Sequence, residues 1–213
     1  NIDILKSTIN TVASPYLITQ QFGDIPNSYR KEVININNST KPEDTPYIDV
    51  EHSGTCVAAS IEFNLAQKTP AEFARFAQNL SSPQLSVDKT IQLKNLADSW
   101  LEAATLLNIF KLPYKVENSN SAKLTFAPDK NAIVRATIQT TNKDSLERSA
   151  LDVLMQSTFM QTGSQQTYNT ITDKRETNEF NPNNRGLIEF EKTFTESVVA
   201  DKNKLSILRQ LEK

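Results

Sequence analysis

Thr69-Pro70-Ala71-Glu72 constrains the fold more than any other stretch of this chain. A hydroxyl residue before a proline, with Glu at the third helical position, is a helix start: proline lacks an amide that the first turn could not use anyway, and its ring presets the helical φ. Whatever precedes Thr69 must therefore end there, and whatever follows must run as a helix. Phe73, Phe76, Ala77 and Leu80 recur at helical spacing behind that start, so this helix has one apolar face.

Helices are expected on both sides. Upstream, Thr55 is the expected N-cap of a helix to about Gln67, with Cys56, Ser60, Phe63 and Gln67 on one side. Downstream, Ser81-Ser82-Pro83 breaks the chain before a third helix expected over 87–110, with Ile91, Leu93, Leu96, Trp100, Ala104 and Leu107 in register. Pro113 then ends it. Strands are expected over 114–117, 123–127 and 132–141, where Ala132-Ile133-Val134-Arg135-Ala136-Thr137-Ile138 is β-branched and half-alternating. They would make a small antiparallel sheet. Asp144-x-x-Glu147 predicts the cap of a further helix that Gly163 closes, a loop is expected over 178–186, and Leu187, Phe190, Phe194, Val198, Leu205, Leu208 and Leu211 mark a helical tail. The expected fold is α+β and mainly helical. Residues 1–55 open on an amphipathic turn at Ile2, Leu5 and Ile9 and continue as an extended arm, and 56–213 form the helical α+β domain.

With 213 residues the chain can bury a core without covalent staples. One cysteine excludes an internal disulfide and a multi-cysteine zinc site. The net charge of −2, without a basic run, gives no case for nucleic acid or an anionic membrane surface. No apolar run approaches the roughly 18 residues of a membrane span. Phosphate-binding loops and serine-hydrolase elbows are absent from the sequence, so no cofactor is implied. The compartment stays undecided.

Chemistry concentrates at Ser53-Gly54-Thr55-Cys56-Val57-Ala58-Ala59-Ser60, which holds the one cysteine, with the one histidine, His52, four residues before it. A thiol on the first turn of a helix meets the positive end of the dipole, which favours thiolate. A metal bound by His52 and Cys56 would need two more ligands, and only Asp49 and Glu51 are near in sequence, so no metal site is assigned. The Asn181–Gly186 loop lacks the leading Asp of a calcium loop and has Lys192 where the bidentate Glu belongs.

The segment Gly54-Thr55-Cys56-Val57-Ala58-Ala59-Ser60 resembles the nucleophile segment of papain-like cysteine peptidases, and the helical part of the chain resembles the helix-bearing lobe of that fold. The resemblance implies that Cys56 attacks a peptide carbonyl while its own amide helps to bind the oxyanion. It covers seven residues. Val57 stands where the family has an aromatic, Ser53 replaces a cysteine, and Val50 stands at the expected glutamine. The stretch 186–206, where the family histidine would fall, has none. Three expectations follow: a peptidase fragment whose histidine lies beyond Lys213, a site in which His52 serves Cys56, or a non-catalytic domain that binds peptide or protein with Cys56 buried as a small apolar core residue.

Overall fold

The computed structural model describes residues 2–19, 54–141 and 149–200. The protein is mainly helical with one three-stranded antiparallel sheet, the expected α+β class. Helix α1 spans Ile2–Ala13 and is followed by a 3₁₀ turn over Pro15–Leu17. Ile4 packs inward, whereas Ile2, Leu5 and Ile9 face solvent at 69%, 60% and 60% exposure. The rest of the arm expected over 1–55, including Val33, Ile34 and Ile36, lies outside the described residues up to Gly54.

Helix α2, Cys56–Lys68, buries Ala58, Ile61, Glu62, Leu65 and Ala66 and turns Cys56, Ser60 and Gln67 outward. Thr69 separates it from α3, Pro70–Leu80, whose Phe73, Phe76, Ala77 and Leu80 are buried as the spacing predicts. The expected capping box does not form. The Thr69 hydroxyl donates to the Leu65 carbonyl at 3.1 Å, and Glu72 turns instead to Arg75 at 2.7 Å and Lys89 at 3.3 Å. Proline at the first position already removes one needy amide, and two cations outbid a neutral amide for the carboxylate.

Two expected elements exchange character. Residues 87–92 begin the predicted third helix but form strand β1, Val87–Gln92, with inward and outward side chains alternating. Their period of two outweighs the weaker helical register that joins Ile91 to Leu107. A 3₁₀ turn follows, and the helix starts at Trp100, as α4, Trp100–Ile109, under a capping box of Ser99 and Glu102. Trp100 is 45% exposed, so it is no core residue. Strands β2, Tyr114–Asn118, and β3, Ser121–Phe126, lie where the sequence places them, and β1 takes the remaining edge in the order β1-β3-β2. Val87 pairs with Phe126, Lys89 with Leu124 and Ile91 with Ala122, which puts the apolar members on one face.

The expected strand over 132–141 is a helix, α5, Ala132–Thr141. Asp129 and Asn131 start it: the Asp129 carboxylate accepts the Asn131 amide at 3.2 Å, and the Asn131 carbonyl accepts Arg135 N at 3.0 Å. With β1 completing the sheet, the segment runs as a helix against the one that follows it, burying Ala132, Val134 and Ala136 while Ile133 faces solvent.

That helix is α6, Ala150–Gly163, in which every residue from Leu151 to Gly163 is buried. The Ser149 hydroxyl caps it by accepting Leu151 N at 3.2 Å; Asp144 and Glu147, the expected cap, lie outside the described residues. Gly163 closes α6 as expected, but by close approach: a Cβ there would meet Leu187 Cδ1 at 2.6 Å and Thr195 Oγ1 at 2.9 Å. Helix α7, Glu189–Val199, presses its Phe194 ring on Phe110 at 3.7 Å, while Phe76 joins Phe126 and Phe159 across α3, the sheet and α6. Burying each such ring contributes about 1.5–3 kcal/mol. Leu205, Leu208 and Leu211 of the expected tail lie outside the described residues.

Burial raises the pKa of Glu72, but its hydrogen bond to Arg75 and the charge of Lys89 outweigh that and hold it below 4.5. A lowered carboxylate stabilises the fold above its unfolded pKa, and that contribution fades as pH falls through the folded value. Glu72→Gln should cost roughly 1 kcal/mol at pH 7, and urea titrations of the two proteins should converge as the pH falls below 4.

Candidate active site

Cys56 is the first residue of α2 and is exposed. The expectation of a buried core cysteine is thus corrected: Ala58, Ile61 and Leu65 fill the inner face, and position 56 falls on the outer one with Ser60. Thr55 is buried but its side chain does not cap the helix. The Ser60 hydroxyl donates to the Cys56 carbonyl at 2.9 Å and fixes the first turn from outside.

The thiol opens on a groove of about 590 Å³ between α2 and the turn after α1, walled by Ser60, Phe63 and Asn64 on one side and Tyr16 and Ile18 on the other. Tyr16 stands edge-on to Phe63 with ring centroids 5.4 Å apart, yet remains 82% exposed. The outer face of α2 is thus lined by side chains at the helical spacing 56, 60, 63, 64. His52, the candidate base, lies outside the described residues. Among the described residues no three His, Cys, Asp or Glu side chains are grouped to hold a metal ion.

Behind the thiol, buried polar groups grip the chain where it turns into α2. The Asp173 carboxylate accepts the Gly54 amide at 2.6 Å on one oxygen and the Tyr168 hydroxyl at 2.7 Å on the other. Burial pushes the Asp173 carboxyl up; its two hydrogen bonds and the charges of Arg135 and Arg185 pull it down only in part. Burial and the neighbouring carboxylate push Tyr168 well above its ordinary value, so its hydroxyl remains a donor. Arg135, on α5, donates to the Thr170 carbonyl at 2.7 Å and to that of Ile171 at 3.2 Å, which holds the turn that carries Asp173.

Against the α-carbon of Gly54 lies the loop that the sequence places over 178–186. A Cβ at residue 54 would stand 2.7 Å from the Arg185 carbonyl carbon, so only glycine fits. Glu191 anchors that loop: its Oε2 accepts Arg175 Nη1 at 2.5 Å, Asn181 Nδ2 at 2.8 Å and the Ile188 amide at 3.0 Å. Asn181 also donates to the Gly186 carbonyl at 3.0 Å. The loop's polar groups are thus committed to its own shape.

Sequence reasoning found Cys56, the helix and the loop, but not Asp173, Tyr168, Arg135 or Glu191. Asp173 sits in a polar stretch and Glu191 beside Glu189 on an amphipathic helix, places where an acid is by default a solvated residue, and only the fold buries them. Comparison with protein-family models, with curated proteins and with solved structures finds no match to the chain.

Removing one partner of a buried ion pair leaves a charge with no compensation. Glu191→Gln should therefore cost about 3–5 kcal/mol in a urea titration, and limited proteolysis of the variant should cut first within 175–188. Cleavage elsewhere would show that Glu191 does not hold the loop.

Proposed function

We propose that the chain is a thiol peptidase-like protein in which Cys56 is the nucleophile for peptide-bond cleavage. The observation that carries this is an exposed thiol on the first turn of α2, opening on a groove between two segments of the chain. A peptide laid in that groove would bring a carbonyl to Sγ. The thiolate attacks the carbonyl carbon, and the tetrahedral oxyanion takes a hydrogen bond from the Cys56 amide, aided by the helix dipole. Collapse expels the amine with a proton from the base and leaves a thioester, which water hydrolyses. His52 is the base in this scheme, since it is the one histidine of the chain.

A second reading, a non-catalytic domain that binds a peptide or protein, draws on a separate feature. Ile2, Leu5, Ile9 and Val12 form an exposed apolar stripe on α1, and Tyr16 continues it to the edge of the groove. Such a stripe suits a partner helix.

The two readings part on chemistry. A peptidase nucleophile should be labelled by iodoacetamide in the native state at pH 6 faster than glutathione is, and a peptide aldehyde should block the labelling. Cys56→Ser should abolish release of amine from a peptide library. Native labelling no faster than that of glutathione and indifferent to the aldehyde would favour the binding domain.

His52 has its own test. If it takes the proton from Cys56, His52→Ala should slow labelling at pH 6–7 by at least about tenfold. An unchanged rate would remove His52 from the site.

A further inference from the structure

The geometry points to Asp173 as a positioning residue for Cys56, one that sets the direction of the thiol by clamping Gly54. The inference deepens the reading of Cys56 as a nucleophile and rests on it. Asp173 is 119 residues away from Gly54 in sequence, yet its carboxylate is fully engaged on this one spot. One oxygen holds the amide two residues before the thiol, and the other is held by Tyr168, which fixes the carboxylate's plane. Across Gly54 the Arg185 backbone leaves no room for the chain to retreat. A residue held by its amide and crowded at its α-carbon, two positions before the thiol, constrains the rotation of the first turn and hence where Sγ points.

The backbone of Asp173 supports a dedicated role. Its φ is 51°, in the left-handed region, which is costly for a residue with a side chain and is best tolerated by Asn and Asp. Gln161 of α6 secures the turn that leads to it, accepting the Tyr168 amide at 3.1 Å and donating to the Tyr168 carbonyl at 3.0 Å. The charged and titratable groups facing Asp173 are Tyr168 from its own turn, Arg135 from α5 and Arg185 from the loop; Asp129, before α5, acts on Tyr168. Because burial outweighs those partners, the carboxylate gains its proton at a higher pH than the ordinary 3.8. Below that point its bond to the Gly54 amide loses the assistance of a full charge, so the clamp weakens as the pH falls through it.

Asparagine offers a discriminating variant. Its oxygen accepts the Gly54 amide, its NH2 donates to the Tyr168 hydroxyl, and it keeps the left-handed backbone without a titrating group. Hydrogen exchange of the Gly54–Ala58 amides and native iodoacetamide labelling of Cys56 should be measured from pH 4 to 8 for the wild type, Asp173→Asn, Asp173→Ala and Tyr168→Phe. Asp173→Ala should speed exchange about tenfold, as expected for a lost hydrogen bond to a charged group, and its labelling should drift to the rate of glutathione. Asp173→Asn, the neutral mimic of the protonated side chain, should show at pH 7 the exchange that the wild type reaches only in acid, with no further acid step. Tyr168→Phe should lie between them.

Thermal melts separate positioning from a general loss of fold. If Asp173→Ala does not fold, Asp173→Asn and Tyr168→Phe carry the test. Folded variants that exchange and label as the wild type does across the whole pH range would overturn the clamp. Wild-type labelling no faster than that of glutathione would instead overturn the nucleophile reading, while exchange at Gly54–Ala58 still decides whether Asp173 holds the turn.

Discussion

The structure depends on a helix with no solvent face. From Leu151 to Gly163 every side chain of α6 is buried, although Asp152, Gln156, Ser157, Thr158, Gln161 and Thr162 are polar. Buried polar groups are costly unless hydrogen-bonded, so most of them recruit partners, Ser157 excepted, and those partners fix the elements around the helix. Asp152 accepts the Thr19 amide at 3.0 Å and ties down the turn after α1; Gln156 donates to Glu62 on α2 at 3.0 Å and to the Thr19 carbonyl at 2.7 Å. Both walls of the groove at Cys56 are thereby referred to one helix. Thr158 and Thr162 satisfy themselves on the carbonyls four residues back, which leaves Gln161 to reach the Tyr168 turn. A continuous line of contacts then runs from α6 through Gln161, Tyr168 and Asp173 to Gly54 and the thiol.

The glycines sharpen this picture. Gly54, Gly163 and Gly186 have no positive φ, so conformational freedom does not account for them. Two of them stand beside residues 183–187, Gly54 against Arg185 and Gly163 against Leu187, and Gly186 lies within that stretch. At Gly54 the neighbour is backbone, so a side chain would not fit there. Gly54 and Gly163 thus serve the close approach of residues 185–187. Glu191 holds that loop, so the buried pair with Arg175 contributes to the position of Gly54 and, through it, of Cys56.

Local signals carried the parts of the fold in which one residue pattern dominates. Pro70 and the Phe73–Leu80 face fixed α3, and Asn and Ser in the turns marked β2 and β3. The misread segments are those where tertiary context decides. Val87–Gln92 alternates, but the apolar spacing from Ile91 onward also fits a helix, and only pairing with β3 selects the strand. Ala132–Thr141 has strand composition, and once β1 has completed the sheet its buried neighbour is α6. At the site, Cys56 was legible because its signal is local: one thiol, one cap position, one helix. Asp173 was not, because its role exists only when residues 119 apart meet, and a polar stretch gives no hint of which acid will be buried.

The same geometry bears on where a base for Cys56 can come from. Glu62 shares α2 with the thiol, but it lies on the inner face and is committed to Gln156, so the helix cannot serve its own nucleophile. No other cysteine or histidine is available among the described residues, and the chain's one histidine is His52. Gly54 lies midway between His52 and Cys56, and its amide is held by Asp173 while the Arg185 backbone crowds its α-carbon. An imidazole delivered to Sγ from position 52 must therefore turn through the one residue the structure grips from both sides. If His52 is the base, the Asp173 clamp fixes the residue through which the chain joins the base to the thiol.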